Sequence, residues 1–196
     1  MKKNLIISGV GGQGILSISY VIVSSATKMG LNSKQSEVHG MSQRGGPVYS
    51  FLRISSSEIY SDLIPKGECD IIISLEPMEA LRYINYLKPD GLLITDKTPF
   101  LIKGYDIDKV ISKLKEFKNS ILIDAKSVAK SAGSILAQNM VMVGSASNFL
   151  EIDKILLKES IKTLFSTKSQ KIVDVNLKAF ESGIKLTTGI NRITTQ

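Results

Sequence analysis

Short apolar runs alternate with longer amphipathic stretches along the 196-residue chain. Runs of strand length predict strands, and stretches with apolar residues at helical spacing predict helices. The predicted strands are 3–8, 35–38, 47–54, 71–75, 92–95 and 121–124. The predicted helices are 15–29, 78–87, 106–117, 126–132, 136–149, 153–165 and 174–186. This alternation predicts an α/β fold with a mostly parallel sheet, helices on both faces and a Rossmann-like start.

Two predicted helices have informative boundaries. The stretch 15–29 contains no turn residue, which favours one helix with Gly30 as its C-cap. Its β-branched residues leave a second interpretation open, in which the stretch forms two strands. Pro77 opens the helix 78–87, in agreement with the preference of proline for a first helical position.

Length and composition indicate one domain that spans residues 1–196. Hydrophobic residues make up 43% of the chain and charged residues 22%, which are ordinary values for a globular protein. A chain of this size can bury a core without disulfides or metals. Residues 150–196 are helical in pattern and basic, so we expect a helical C-terminal tail that is a candidate subunit-docking element.

Charge and hydropathy narrow the range of partners. The net charge is +7, but the lysines are scattered and no base-stacking motif alternates with them. We therefore expect no nucleic-acid binding. No apolar run has the length of a membrane span, and no signal peptide precedes the first strand. These features predict a cytoplasmic protein that does not associate with membranes.

Cysteine and histidine each occur once. Cys69 precedes the apolar run 71–73, so we expect a buried and unreactive thiol. A single cysteine can neither form an internal disulfide nor hold an iron–sulfur cluster alone. His39 has no second histidine or nearby cysteine for a metal site. No metal site is predicted.

The most distinctive local motif is the glycine-rich turn, residues 9–14. It follows a predicted strand and opens a predicted helix in the register G-x-G-x-x-G. We expect positive φ and close backbone approach, at Gly11 in particular, and a helix N-terminus that suits phosphate. Three interpretations stay open: a tight turn packed on another subunit, contact with a phosphate or CoA-type anion, and an NAD or FAD site. The candidate cofactor-binding residues are Gly9, Gly11, Gly12, Gln13 and Gly14.

Two nucleotide-binding patterns are incomplete in this chain. A Rossmann NAD site requires an acidic residue at the end of the second strand. Glu37 lies at about the right distance from the glycine-rich turn, but Val38, His39 and Gly40 follow it at once. A P-loop requires Gly-Lys-Ser/Thr, which does not follow the turn.

A second glycine-rich segment, residues 39–47, is expected beside the first. It follows the second predicted strand, and ligands of open α/β sheets bind at such an edge. Arg44 can clamp a carboxylate or phosphate, although a turn with a surface arginine is an equal alternative. The candidate cofactor-binding residues are Ser42, Gln43, Arg44 and Gly45. The candidate interface residues are His39, Gly40, Met41 and Gly46.

Together, the glycine-rich turn and residues 36–46 resemble the gamma-type domain of 2-oxoacid:ferredoxin oxidoreductases. Residues 37–46 are similar to the small subunit of the indolepyruvate type in particular. Further similarity lies in residues 62–70, 75–82 and 86–91. The match is close over about the first half of the chain and general over the rest.

The resemblance implies a hetero-oligomeric enzyme that oxidatively decarboxylates an aryl pyruvate, forms an acyl-CoA and reduces ferredoxin. In this family the large catalytic subunit carries thiamine diphosphate and iron–sulfur clusters. The present chain lacks the Gly-Asp-Gly…Asn diphosphate motif and the cysteines for clusters. We therefore expect that it binds no cofactor alone, has no catalytic residue or activity of its own, and meets ferredoxin only indirectly. CoA would be a co-substrate near the glycine-rich segments.

Two other classes of protein remain as alternatives. One is a stand-alone Rossmann-type oxidoreductase that binds NAD(P) or FAD, which a nicotinamide or flavin on the purified chain would identify. The other is an anion-binding regulatory module without a reaction. Activity that appears only with a thiamine-binding partner would favour the oxidoreductase subunit.

Overall fold

Six strands form a single sheet in the computed structural model, which describes residues 1–39, 45–100 and 104–190. The strands are β1 (Lys2–Val10), β2 (Asn32–His39), β3 (Pro47–Ser55), β4 (Cys69–Ser74), β5 (Leu87–Asp96) and β6 (Ser120–Ile123). Their order across the sheet is β2-β3-β1-β4-β5-β6. The predicted number and sequence order of strands are therefore confirmed for the described residues.

The sheet is mostly parallel, as predicted. β1, β4, β5 and β6 run in one direction, and β3 is antiparallel to both of its neighbours, β1 and β2. The short connection between β2 and β3 explains this exception, because only antiparallel strands can be joined without a long crossover. As a result, β2 lies at the sheet edge and is separated from β1 by β3.

Helices cover both faces of this sheet, which confirms the predicted α/β architecture. They are α1 (Ile15–Lys28), α2 (Pro77–Arg82), α3 (Ile107–Lys115), α4 (Ala125–Ala132), α5 (Gln138–Ser147), α6 (Lys154–Leu164) and α7 (Gln170–Thr187). Side chains alternate along β1 between two cores. Leu5 and Ile7 belong to the core that includes α1 and α4–α7, whereas Ile6 belongs to the core beneath α2 and α3.

The stretch after the glycine-rich turn is one helix, so the two-strand interpretation is wrong. Ile18, Val21 and Ile22 of α1 are fully buried against the sheet and the neighbouring helices. This burial outweighs the modest helix penalty of β-branched residues. Met29 is the C-cap, and Gly30 follows it with a φ of 73°, the left-handed conformation typical of helix termini.

The predicted helix 78–87 is shorter in the structure. α2 begins at Pro77, as expected, but ends at Arg82, and a 3-10 helix (Ile84–Tyr86) follows it. β5 then begins at Leu87, which pairs with Cys69 of β4. A register irregularity accommodates the predicted turn 89–91 inside the strand. Pairing with the neighbouring strand therefore overrides the local helix and turn signals.

The described residues after 150 include α6 and α7, as the predicted helical tail requires. Both helices contribute to the main core, with Leu157 and Phe180 fully buried. α7 approaches α5 so closely that a Cβ added at Gly144 would lie 2.0 Å from the carbonyl oxygen of Phe180. The tail is thus integrated into the domain.

The helices differ in length and in apolar content. Within the described part of the chain, none combines the length and the apolar content needed to cross one.

Candidate functional site

The glycine-rich turn leaves the carboxyl end of β1 and starts α1. Its positive φ values fall on Gly12 (99°) and Gly14 (82°), and not on Gly11 as expected. Gly14 is the N-cap of α1 and has no side chain to accept hydrogen bonds from the first-turn N–H groups. No acidic residue lies in that first turn. The amino end of a 14-residue helix is therefore left without a side-chain cap, an environment that suits an anionic group.

The second glycine-rich segment lies directly against this turn. The Gly11 amide donates to the Gly46 carbonyl oxygen over 2.9 Å, and the Gly45 amide donates to the Gly11 carbonyl oxygen over 3.5 Å. These bonds continue the ladder of β1 and β3 beyond its last pair, Val10 and Pro47. The adjacency that the sequence predicts is therefore confirmed for Gly45 and Gly46.

The start of the second segment reaches the same sheet edge. The backbone of His39 ends β2 and is paired with Val48 of β3. Five predicted site residues that follow it lie outside the described residues. They are Gly40, Met41, Ser42, Gln43 and Arg44. Their proposed contacts, and those of the His39 side chain, stay predictions.

The side chain of Gln13 stabilises the glycine-rich turn through two hydrogen bonds. Its side-chain oxygen Oε1 accepts from the Val10 amide over 2.7 Å, and Nε2 donates to the Leu75 carbonyl oxygen over 3.0 Å. One side chain thereby joins the end of β1 to the residue after β4. Gln13, predicted to contact a cofactor, has a structural role that the sequence did not reveal.

The hydrogen bonds of Gln13 lie at a point where the connections after two neighbouring strands turn to opposite faces of the sheet. The turn after β1 leads to α1 on one face of the sheet, and the turn after β4 leads to α2 on the opposite face. β1 and β4 are adjacent and parallel. This is a topological switch point, the place where open α/β sheets form their ligand crevices.

A buried carboxylate connects the neighbouring loops. Glu76 is 2% exposed, and its Oε2 accepts from the Glu79 amide over 2.9 Å, which caps α2. Its Oε1 accepts from the Tyr105 hydroxyl over 2.8 Å and from the Phe100 amide over 3.3 Å. The Tyr105 hydroxyl also accepts from the Met78 amide over 3.1 Å. Glu76 therefore ties α2 to both ends of the connection between β5 and α3.

Phe100 connects this loop to the glycine-rich segments. Its side chain is 46% exposed, and its ring lies 3.9 Å from the position that a Cβ on Gly45 would take.

Burial and the hydrogen bond to Glu76 both raise the pKa of Tyr105 above its ordinary value. Tyr105 thus remains a hydroxyl donor to Glu76 at neutral pH.

A cleft of about 230 Å³ opens beside the glycine-rich turn. Gly12 and Gln13 line one side, and Phe100, Lys126 and Leu136 line the others. Lys126 and Leu136 are exposed, so the cleft offers both a positive charge and apolar surface. Such a mixture suits a ligand with anionic and apolar parts, or an amphipathic protein surface.

Asp96, at the end of β5, also lines this cleft. It is 1% exposed, and its Oδ1 accepts from the Thr98 amide over 2.9 Å. Burial is the main cause that raises the pKa of this carboxyl above its ordinary value. Burial and the hydrogen bond from Thr98 thus hold this acidic side chain within the protein.

The sequence did not identify five residues of this region. They are Glu76, Phe100, Lys126, Leu136 and Asp96. Two of them had a usable signal, because Glu76 and Asp96 come at or just after the ends of parallel strands, where site residues gather. Phe100, Lys126 and Leu136 reach the cleft only through tertiary packing, which no local pattern indicates.

The structure does not support a Rossmann NAD site. β3 lies between β1 and β2, so Glu37 on β2 is two strands away from the glycine-rich turn. An acidic residue that binds the ribose must end the strand next to β1. The side chain of Glu37 instead accepts a hydrogen bond from Gln35.

Cys69 is buried, as predicted. It is fully inaccessible at the start of β4, and desolvation by burial raises the pKa of its thiol to about 12. The thiolate that metal binding requires is therefore unavailable at this position. Over the described ranges, histidine, cysteine, aspartate and glutamate form no group of three or more that could hold a metal ion.

Comparison with protein families and known sequences gave consistent matches. The family described as "Pyruvate ferredoxin/flavodoxin oxidoreductase" matches residues 4–186. The chain is 38% identical to "Indolepyruvate oxidoreductase subunit IorB" of Pyrococcus horikoshii, covering 94% of this chain and 96% of that protein. The IorB protein of Thermococcus kodakarensis is 36% identical with the same coverage. "2-oxoglutarate synthase subunit KorC" of Methanothermobacter thermautotrophicus is 28% identical over 95% of both chains.

Solved structures share the fold. A 2-oxoglutarate:ferredoxin oxidoreductase from Magnetococcus marinus, with 2-oxoglutarate, coenzyme A and succinyl-CoA bound, matches with a TM-score of 0.81 and 22% identity. The match covers 98% of this chain but only 32% of that chain, so this chain spans about a third of its length. Pyruvate oxidoreductase subunit PORC from Thermotoga maritima matches with a TM-score of 0.74 and 20% identity, over 94% of this chain and 96% of that chain.

Proposed function

The chain belongs to the pyruvate ferredoxin/flavodoxin oxidoreductase family, and we propose that it is the small subunit of an indolepyruvate-type 2-oxoacid:ferredoxin oxidoreductase. The enzyme would decarboxylate an aryl pyruvate, transfer the acyl group to the sulfur of CoA, release carbon dioxide and pass the electrons to ferredoxin in the cytoplasm. The observation that carries this proposal is the near-complete overlap, end to end, with the IorB relatives. The stretches that carry the resemblance, from the glycine-rich turn to residues 86–91, lie within residues 4–186, the range that the family matches.

The cofactors that perform the chemistry would belong to a large catalytic subunit. Thiamine diphosphate would supply the carbanion chemistry and iron–sulfur clusters the electron transfer. Cys69 does not fit a cluster ligand, because its thiol is buried within β4 and its pKa is raised. The small subunit would complete a hetero-oligomer and have no activity alone.

The glycine-rich edge fits a phosphate-bearing substrate such as CoA. No described atom lies within 4 Å of the position that a Cβ on Gly12 would take, so the backbone there is accessible. The uncapped N–H groups of α1 and the exposed Lys126 both favour negative charge at this place. The Magnetococcus relative, described with CoA bound, adds support from the same fold.

Substrate preference tests the indolepyruvate assignment. The chain would be purified with its large subunit, and CoA-dependent ferredoxin reduction measured with indolepyruvate, phenylpyruvate, pyruvate, 2-oxoglutarate and 2-oxoisovalerate. We expect kcat/KM to be highest for the two aryl pyruvates. A clear preference for 2-oxoglutarate or pyruvate would contradict the assignment of substrate and leave the family unchanged.

A further inference from the structure

An exposed leucine lies between two concave sites beside the glycine-rich turn and lines both of them. Leu136 lies on a 3-10 helix, Ile135–Ala137, and is 83% exposed. It lines the cleft that contains Gly12, and it also lines a groove of about 310 Å³ against α7. Large apolar side chains scattered singly on a surface need no explanation, but one that joins two concave sites suggests a contact.

The second hollow, here called the α7 groove, is mainly apolar. Leu136, Phe165, Ile172 and Val175 line it, and Ile172 is itself 41% exposed. Gly133 and Ala137 line the same groove and leave room because their side chains are absent or small. Covering this surface would remove apolar area from water, which favours association.

Positive charge surrounds this apolar surface. Lys168 and Lys171 are exposed and line the α7 groove, and Lys126 lines the adjoining cleft. The ion pairs found among the described residues involve none of these three lysines.

The lining of the two hollows is poor in acidic residues. Among the described residues that line the two hollows, Asp96 is the only acidic one, and it is 1% exposed. Asp174 of α7 accepts a hydrogen bond from Gln170 and does not line the groove.

We propose that the α7 groove, with Leu136 at its edge, binds a segment of the large subunit that carries aliphatic side chains flanked by aspartate or glutamate. The inference rests on the proposed function, which supplies the large subunit. Charge complementarity selects this occupant, because a symmetric contact between the grooves of two copies would place lysines against lysines. The shared position of Leu136 adds continuity, since a subunit that reaches the glycine-rich edge would cover this residue too.

A pair of matched surface substitutions tests the apolar part. Leu136→Asp places a charge in the groove, whereas Ile155→Asp does so at another exposed aliphatic residue, on α6 and 65% exposed. We expect Leu136→Asp to raise the Kd for the large subunit about tenfold or more. Ile155→Asp should stay within about twofold of wild type. Thermal melting of each variant alone checks that both chains fold.

A second pair tests the charge. The double substitution Lys168→Glu with Lys171→Glu should slow association with the large subunit at low salt. Added salt should slow the wild-type association but slow that of the variant less or even speed it, because salt screens a local attraction in one and a local repulsion in the other. The control double substitution, Lys113→Glu with Lys115→Glu, alters exposed lysines on α3, on the other face of the sheet. It should leave both quantities close to those of wild type.

Three outcomes would overturn the proposal. Normal affinity of both the Leu136→Asp and the charge-reversed groove variants would show that the groove is not the docking site. Equal weakening by the groove and control variants would show that the effect is not local. If the chain alone forms a dimer and Leu136→Asp makes this dimer dissociate, the groove binds a second copy of the chain. Failure of the wild-type chain to bind any large subunit is a separate result, which would contradict the proposed function itself.

Discussion

At the scale of single residues, two glycines shape the turn after β1 in different surroundings. Gly12 and Gly14 both have φ in the left-handed region. A Cβ on Gly12 would meet no described atom within 4 Å, whereas a Cβ on Gly14 would lie 2.5 Å from Nδ2 of Asn139. Asn139 is 6% exposed and its Oδ1 accepts from the Met140 amide, so it cannot move aside freely. The two positions share the conformational penalty but differ in steric penalty.

Alanine substitutions at these glycines should separate the two penalties. Gly12→Ala should lower the free energy of unfolding by about 1–2 kcal/mol, the penalty of a left-handed alanine. Gly14→Ala should lower it by about 1–3 kcal/mol more, because buried Asn139 must also shift. Chemical denaturation of the full chain measures both values. Equal losses would mean that Asn139 gives way without cost and that its packing against the turn is loose.

Glu76 gives a second prediction at the residue scale. Glu76→Gln replaces an acceptor-only carboxylate by an amide, so at least one of its three donors loses its partner. We expect the free energy of unfolding to fall by about 1–3 kcal/mol. Tyr105→Phe should cause a loss of similar size, about 1–3 kcal/mol, because it removes the hydroxyl that donates to Glu76 and accepts from the Met78 amide. Urea denaturation measures both losses.

Tyr60→Phe is the matched control for Tyr105→Phe. Tyr60 is 85% exposed, so the loss of its hydroxyl should be within about 0.5 kcal/mol of neutral. If Glu76→Gln were as stable as wild type, the role of Glu76 as a connector of the loops would be refuted. The sequence could suggest Glu76 only by its place between a strand and a helix, since its two partners outside α2, Phe100 and Tyr105, are 24 and 29 residues away.

At the scale of elements, local signals predicted most of the helices and strands. The apolar run before Gly9 and the proline at position 77 gave element starts that the structure confirms. The end of α2 was wrong, because Leu87 pairs with Cys69 and begins a strand where the sequence pattern continues a helix. Strand pairing between distant residues is a tertiary effect that periodicity does not contain.

The contact between α5 and α7 yields a prediction opposite to helix propensity. Gly→Ala inside a helix usually stabilises by about 1 kcal/mol. Here, Cβ atoms at Gly144 and Gly183 would lie 2.0 Å from the Phe180 oxygen and 2.1 Å from the Val141 oxygen. We expect Gly144→Ala and Gly183→Ala to destabilise by about 1–3 kcal/mol or more, because backbone must move apart.

Ser182→Ala is the control for this contact. It places a better helix former next to Gly183 on α7. The free energy of unfolding should stay unchanged or rise by up to about 0.5 kcal/mol. Thermal denaturation of the three variants gives the comparison. Stabilisation by Gly183→Ala would mean that α5 and α7 are farther apart than the structure places them.

At the scale of the whole molecule, the sequence predicted the architecture but not the arrangement of the sheet. Alternating strands and helices predicted a mostly parallel sheet with both faces covered, which is confirmed. The position of β3 between β1 and β2 was not predictable from periodicity, yet it separates Glu37 from the glycine-rich turn and removes the NAD interpretation. The meeting of Gly11 with Gly46 was predictable, because both follow or precede strands at the same edge.

The same arrangement explains why this chain would require a partner. Hydrogen bonds of Gln13 and Glu76 connect the loops at the topological switch point. The cleft beside them is open and is lined by the exposed Lys126 and Leu136. One side of such a cleft can present a substrate but cannot enclose it from water. We therefore propose that the chain supplies one wall of a CoA-dependent active centre whose cofactors lie on the large subunit.

Omission and add-back of the small subunit test whether it forms part of the active centre. The large subunit would be assayed for indolepyruvate- and CoA-dependent ferredoxin reduction without this chain, and again as the purified chain is titrated in. We predict negligible activity from either chain alone and activity that rises to a plateau as the complex forms. Full CoA-dependent activity of the large subunit alone, or turnover by this chain alone, would contradict the claim.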